Sequence, residues 1–317
     1  MPCSPIWSIV GRPPDVVPAA TTTPVRLLKP EVLARLGSLE LVARTVVDGM
    51  TTGLHRSPHF GFSQEFAEYR AYAEGDDPRH VDWNVYARTD RAYVKRFEGE
   101  TNTSVTLLLD ASASMGFGEP VSKLDQARWL IASMAWMTRR QHDALGLAVF
   151  DDGVREIQAP SGRPDSLPRA LALLERSEAG AGTDIVAAIE ALRAGLSRRG
   201  LFVLASDLYA DPDALLDALQ PLAHAGQDIA VFHLTDPAEV RPELARVGAL
   251  RDLESGDQVI VEPDFLREGY RRRFAEHAEA LANACRRIGA DYRTLSTDEP
   301  LDAALQAYLR FRERRGR

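Results

Sequence analysis

From about residue 102 onward, short apolar runs alternate with longer amphipathic ones. SVTLLLD, ALGLAVF, LFVLASD and DIAVFHL are near-continuous in apolar residues, the pattern of parallel strands buried on both faces. Helical patterns separate them. VSKLDQARWLIASMAWMTRR is apolar on nearly every side and predicts a deeply buried helix, and PDSLPRALALLERSE, TDIVAAIEALRAGLSRR and DPDALLDALQPLAHA predict three more. GVREIQAP follows ALGLAVF across the turn DDG as a hairpin, and ALRDLESGDQVIVEP predicts a second hairpin turning at Ser255–Gly256. PDFLREGYRRRFAEHAEALANACRRIG predicts a long helix with Leu266, Tyr270, Phe274, Leu281 and Ile288 facing inward. ADYRTLST is a last strand and PLDAALQAYLRFRERR a last helix. This alternation predicts an α/β fold, a doubly wound and mostly parallel sheet of Rossmann type covered by helices on both faces.

The first third of the chain has another rhythm. Residues 1–25 are rich in Pro and Thr and predict a flexible arm. A helix is expected from about Pro30 through PEVLARLGSLELVARTVVDGM, with an apolar stripe of Leu33, Leu36, Leu39, Leu41, Val42 and Val46. FAEYRAY and RAYVKRFE alternate like strands, with a turn at EGDDP between them. The expected organisation is therefore an arm (1–25), a smaller α+β segment (26–101) and an α/β domain (102–317).

At 317 residues the chain needs no disulfide to stabilise a core, and its two cysteines, Cys3 and Cys285, have no paired spacing. Net charge is −8, which argues against nucleic acid as the partner. The N-terminal stretch lacks the basic and apolar regions of a signal peptide, and no run approaches the ~20 apolar residues of a membrane span. A soluble cytoplasmic protein is expected.

Candidate chemistry lies where the strands end. In LLLDASASMGFG an apolar strand stops at Asp110, with Ser112 and Ser114 just beyond. LFVLASD also ends in an acid, Asp207, and the loop EAGAGTD places Thr183 before a helix. In an open parallel sheet, ligands sit at the carboxyl ends of strands. Carboxylates, hydroxyls and waters together suit a hard divalent cation, Mg2+ above all, with Mn2+ or Ca2+ as alternatives. The plainer reading is capping: the serines capping a turn, and Asp207 capping the helix that starts near Pro212. Asp184 is expected to be an N-cap, and the glycines of AGAG to give the backbone freedom around a moving ligand. The histidines form no metal signature, no phosphate-cradling loop is present, and no nucleophile–base pair stands beside the motif, so no catalytic residue is assigned.

The set D-x-S-x-S, a distant Thr and a strand-terminal Asp resembles the metal-ion-dependent adhesion site (MIDAS) of von Willebrand factor A-like domains, over about residues 102–317. The stretch GFSQEFAEYRAYAEGDDPRHVDWNVYARTDRAYVKRFEGE followed by DASASM is similar to the bacterial domain-of-unknown-function family 58. The resemblance implies that Ser112 and Ser114 ligate the cation directly, Thr183 directly or through water, and Asp110 and Asp207 mostly through water. It also implies a cytoplasmic adaptor working beside a MoxR-type AAA+ ATPase in complex assembly, docking on a partner's acidic side chain. GDDPRHVDW is either a structural turn or a docking surface with Arg79, Asp82 and Trp83. The function expected is a non-enzymatic, Mg2+-dependent protein-binding module. A metal-dependent hydrolase or phosphatase is the first alternative, separable by turnover on phosphate and ester substrates. A metal-free scaffold is the second, separable by partner binding that persists in EDTA.

Overall fold

The computed structural model describes residues 29–54, 66–71, 85, 86, 88, 91–97, 103–180, 182–196, 199–241, 248–251, 258–261, 269–301 and 305. Its N-terminal elements are α1 (Pro30–Leu33), α2 (Leu39–Leu54), β1 (Phe66–Ala71) and β2 (Tyr93–Phe97). The next run comprises β3 (Ser104–Asp110), α3 (Lys123–Arg140), β4 (Ala144–Phe150), β5 (Val154–Ser161), α4 (Ser166–Arg176) and α5 (Ile185–Arg193). There follow β6 (Gly200–Ser206), α6 (Pro212–His224), β7 (Gln227–Thr235), α7 (Pro237–Val240), β8 (Gly248–Arg251), β9 (Gln258–Val261), α8 (Arg271–Arg287) and β10 (Asp291–Ser296).

The continuous apolar runs became the central sheet. Six strands pair in the order β10-β7-β6-β3-β4-β5, all parallel except β5, which runs antiparallel to β4 at one edge. Taken in chain order within this sheet, the arrangement is 3-2-1-4-5-6, the doubly wound order whose switch point lies between its first and fourth strands. Here those strands are β3 and β6. This is the doubly wound, mostly parallel α/β architecture that the alternation predicted.

Period-two alternation of side chains sends successive residues of β3 to opposite faces, and both faces are covered. Val105, Leu107 and Leu109 join α2, α3 and α4 in one core, while Leu108 joins α5, α6 and α8 in the other. Both cores are dry, which explains why these strands carry no polar alternation. Helix α3 is buried along most of its length, as its all-round apolar pattern required. Cys285, on the inner face of α8, is a packed thiol with 1% exposure.

The N-terminal helix departs from expectation. The chain forms α1 and α2, broken over residues 34–38, where one helix was predicted. Ser38 explains the restart: its hydroxyl accepts from the Leu41 amide (3.2 Å), as an N-cap does. Leu33, Leu39, Val42 and Val46 are buried against α3, but Leu41 is 47% exposed and does not belong to the stripe. Helix α5 ends at Arg193, before Gly195, and so is shorter than its pattern suggested.

FAEYRAY and RAYVKRFE supply the antiparallel pair β1–β2, and β8 and β9 form the second hairpin. The turns EGDDP and Ser255–Gly256, the arm 1–25, Cys3 and Leu266 lie outside the described residues. Of the last predicted helix, Leu301 and Leu305 are described, helical and buried in the α2–α3 core.

Replacing the fully buried Leu108 by Ala removes contacts from the α5–α6–α8 face. It should cost about 2–5 kcal/mol in equilibrium urea unfolding. Leu41→Ala, on the exposed side of α2, should stay within about 0.5 kcal/mol of the wild type in the same assay.

Candidate functional site

The switch point brings two acids together. Strands β3 and β6 pair in parallel register up to Leu109 and Ala205, so Asp110 closes one strand and Asp207 follows the other. Both residues are buried, at 0% and 2% exposure. Ser206 clasps the two strand ends: its hydroxyl donates to Asp110 Oδ2 (2.5 Å) and accepts from the Leu208 amide (2.9 Å). Leu208 itself is held at φ 54°, a left-handed conformation that costs a branched residue roughly 1–2 kcal/mol. That turn redirects the chain immediately after Asp207.

The serine loop folds back on its own acid. Asp110 Oδ1 accepts from the Ser112 amide (2.9 Å), and the hydroxyls of Ser112 and Ser114 lie 3.1 Å apart. Ser112 precedes a short 3-10 turn, Ala113–Gly116, without capping it through its side chain. Its hydroxyl is therefore spent on Ser114 and not on the turn.

Thr183 arrives from a third loop that is tied down at several points. The Gly180 amide donates to the Ala111 carbonyl (2.7 Å), directly behind the serine motif. The Asp184 amide donates to the Asp151 carbonyl (2.7 Å). Arg155 Nε donates to Asp151 (2.7 Å) while its Nη1 donates to the Glu178 carbonyl (2.8 Å), so the β4–β5 turn buttresses the loop. A Cβ at Gly180 would collide with the side chains of Arg155 and Asp151. The glycine there allows the close approach of the Arg155 and Asp151 side chains.

Two oxygens of the predicted five-residue set are buried without a hydrogen-bond partner: Thr183 Oγ1 and Asp207 Oδ1. Leaving a buried polar atom unpaired costs about 1–3 kcal/mol, so each needs a reason. The other Asp207 oxygen is fully engaged. Lys123, at the first position of α3, donates from Nζ to Asp207 Oδ2 (2.8 Å) and to Glu239 Oε1 (2.6 Å) and is completely buried. Burial alone would lower the Lys123 pKa, but the two carboxylates outweigh it and hold the ammonium charged. The Asp110 carboxyl is pushed up to about 7, by burial first and by the Asp207 charge second, against the hydrogen bonds from Ser206 and Ser112.

Hydrogen bonds thus link Asp110, Ser112 and Ser114 in one cluster, Ser206, the residue before Asp207, joins it through Asp110, and Gly180 ties the Thr183 loop to Ala111. Hydroxyl-rich donor sets of this kind differ from His, Cys and carboxylate clusters; among the described residues, no group of three or more such side chains is spaced to hold a metal. The capping reading fails for Asp207, because Asp211 caps α6 through its side chain. It holds for Asp184, whose carboxylate accepts from the Ala187 amide (2.9 Å). Arg79, Asp82 and Trp83 lie outside the described residues.

Ser206, Lys123 and Glu239 were not singled out from sequence. Lys123 had a signal: a cation in the first turn of a helix opposes the helix dipole, so a buried lysine there implies nearby acids. Glu239, in the short helix α7, had none.

The fold and site define a doubly wound α/β domain with a cluster of carboxylates and hydroxyls at its sheet switch point. The chain belongs to the family described as "Protein of unknown function DUF58", whose model matches residues 68–280. It is 31% identical over 293 residues to Uncharacterized protein Rv1480 of Mycobacterium tuberculosis, covering 90% of this chain and 91% of that one. Uncharacterized protein Mb1516 of Mycobacterium bovis matches with the same identity and coverage. Among solved structures, the conserved hypothetical protein BatB from Bacteroides thetaiotaomicron is similar at 18% identity and TM-score 0.45, covering 67% of this chain and 99% of that one. The SpRpn10 VWA domain is similar at 11% identity and TM-score 0.40, covering 64% and 93%. At these TM-scores the likenesses add nothing to the topology given above. No helix among the described residues is long and apolar enough to cross a membrane.

The raised Asp110 pKa has a stability consequence in chelator-treated protein. Between the ordinary value of 3.8 and about 7, the folded chain holds a proton that the unfolded chain releases. Its contribution is therefore complete below about pH 4 and is lost as pH rises to about 7. Asp110→Asn should flatten that decline in denaturation midpoints measured from pH 4 to pH 8; an unchanged slope would assign the proton elsewhere.

Proposed function

We propose that this chain is a Mg2+-dependent protein-binding module whose cation is held by Ser112, Ser114 and Thr183 with Asp110 and Asp207. The supporting observation is the pair of buried, unpartnered oxygens, Thr183 Oγ1 and Asp207 Oδ1, on two loops that hydrogen bonds tie to the Asp110–Ser112 segment, through Gly180 and Ser206 respectively. Hydroxyl and carboxylate oxygens are the donors a hard cation takes, so the donor chemistry fits. Both Asp110 oxygens already accept hydrogen bonds, which suits a role through water for that residue.

When bound, the cation supplies a Lewis-acidic position for a carboxylate from outside. The chain's own residues do the rest. Ser206 fixes Asp110, the Arg155–Asp151 pair holds the Thr183 loop, and Lys123 fixes the far oxygen of Asp207. Within this reading the domain is a cytoplasmic adaptor that docks on an acidic side chain of its partner and works with a MoxR-type AAA+ ATPase in complex assembly. ATP hydrolysis would belong to that partner, since the sequence holds no phosphate-binding loop. One observation favours a rival, the metal-free scaffold: Lys123 already brings a positive charge to Asp207.

Thr183→Val separates the two readings, because it removes a hydroxyl that bonds to nothing in the protein. Isothermal titration should give the wild type a Mg2+ Kd on the order of 0.1–1 mM. Without Mg2+ the variant should be at least as thermally stable as the wild type, since it loses only an unpaired buried hydroxyl, and it should bind Mg2+ at least about tenfold more weakly. Equal affinities, or no Mg2+ binding by either protein, would favour the scaffold.

A further inference from the structure

Lys123 has no place in the five-residue set, yet it is among the largest fully buried side chains of the described residues. A buried ammonium costs several kcal/mol unless it is paired in good geometry. Here Asp207 and Glu239 accept from it at 2.8 and 2.6 Å, and the rings of Phe117 and Tyr209 lie 5.8 and 5.2 Å from Nζ. The two acids come from different crossovers, Asp207 after β6 and Glu239 in α7 after β7, while Lys123 itself opens the helix after β3. One ammonium therefore joins the chain segments that leave three neighbouring strands. It takes Asp207 Oδ2 and leaves Oδ1, the unpartnered atom.

We propose that Lys123 is the internal counter-ion of the cation site: it keeps the metal-free site folded and thereby limits how tightly a dication binds, while Glu239 offsets it. The inference rests on the reading in the preceding subsection. Ammonium and dication draw on the same Asp207 charge from its two oxygens, so each weakens the other's hold. Without Lys123, the buried Asp207 and Glu239 charges stay uncompensated until a cation arrives. The metal-free state then suffers more than the loaded one. Glu239 works in the opposite direction, because removing its charge leaves the ammonium wholly on Asp207. A lysine that merely packs would lower stability by the same amount in both states and leave affinity alone.

The test is Mg2+ titration calorimetry, with Tm measured in Mg2+ and in EDTA, on wild type, Lys123→Met and Glu239→Gln in the full chain. Lys123→Met should bind Mg2+ at least about tenfold tighter, and Glu239→Gln about tenfold more weakly, the scale of one charge a few ångströms away at an intermediate dielectric. The Tm of Lys123→Met should fall in EDTA and be restored by Mg2+ to a greater degree than the wild type gains. Unchanged affinity in both variants, or equal Tm losses with and without Mg2+, overturns the proposal. If Lys123→Met does not fold even in Mg2+, Glu239→Gln decides alone, and unchanged or tighter binding overturns it. Failure of the underlying site reading is distinct: neither wild type nor Lys123→Met then binds Mg2+.

Discussion

Two carboxylates brought to adjacent strand ends inside a protein repel one another and lose their hydration, and everything at this site answers that constraint. Asp110 and Asp207 stand where the strand order reverses, with β3 and β6 paired in register beneath them. Their environments differ. Asp110 is served by neutral donors, the Ser112 amide and the Ser206 hydroxyl, and its pKa rises. Asp207 is served by a full positive charge from Lys123, itself shared with Glu239. The site thus holds one acid whose pKa is raised and one paired with an ammonium, with an unpaired oxygen on the latter and an unpaired hydroxyl on Thr183, whose loop is tied to Ala111.

A doubly wound sheet suits such a site because its buried parallel strands hold the starting points of the loops that leave them. The dry cores on both faces fix β3 and β6 through Leu107, Leu108, Leu109, Val203 and Leu204. Loop conformation is then set by specific ties: the left-handed Leu208 after Asp207, the Gly180 approach to Ala111, and the Arg155–Asp151 buttress. Strain at Leu208 is tolerated because Ser206 binds its amide and the residue is wholly buried. In the proposed reading, a rim tied in this way spares a weak site the cost of ordering its own loops.

Much of the domain was legible because apolar runs and helical periods are local signals. The strands, the buried helix α3 and the end-of-strand acids all follow from them. The N-terminal helix was misjudged because its apolar spacing continues across Gly37 and Ser38, and only the Ser38 cap shows that the period restarts. Asp207 and Asp211 both precede the proline of α6, but an acid immediately before Pro212 is the better N-cap, which frees Asp207. Lys123 and Glu239 were not found because their pairing spans 116 residues and depends on the crossover order, which no local pattern carries. Ser206 was hidden at the end of an apolar strand, where it read as a filler before the acid.

The central claim is that one cation shares oxygens from the three loops around Asp110, Thr183 and Asp207. An anomalous-diffraction map from crystals grown or soaked in Mn2+ addresses it most directly. The account predicts a single strong peak within about 2.2 Å of the Ser112 and Ser114 hydroxyl oxygens, on the side facing Thr183 Oγ1 and Asp207 Oδ1. A map with no peak there at saturating Mn2+, and those two oxygens still unpaired or bonded only to protein, would contradict it.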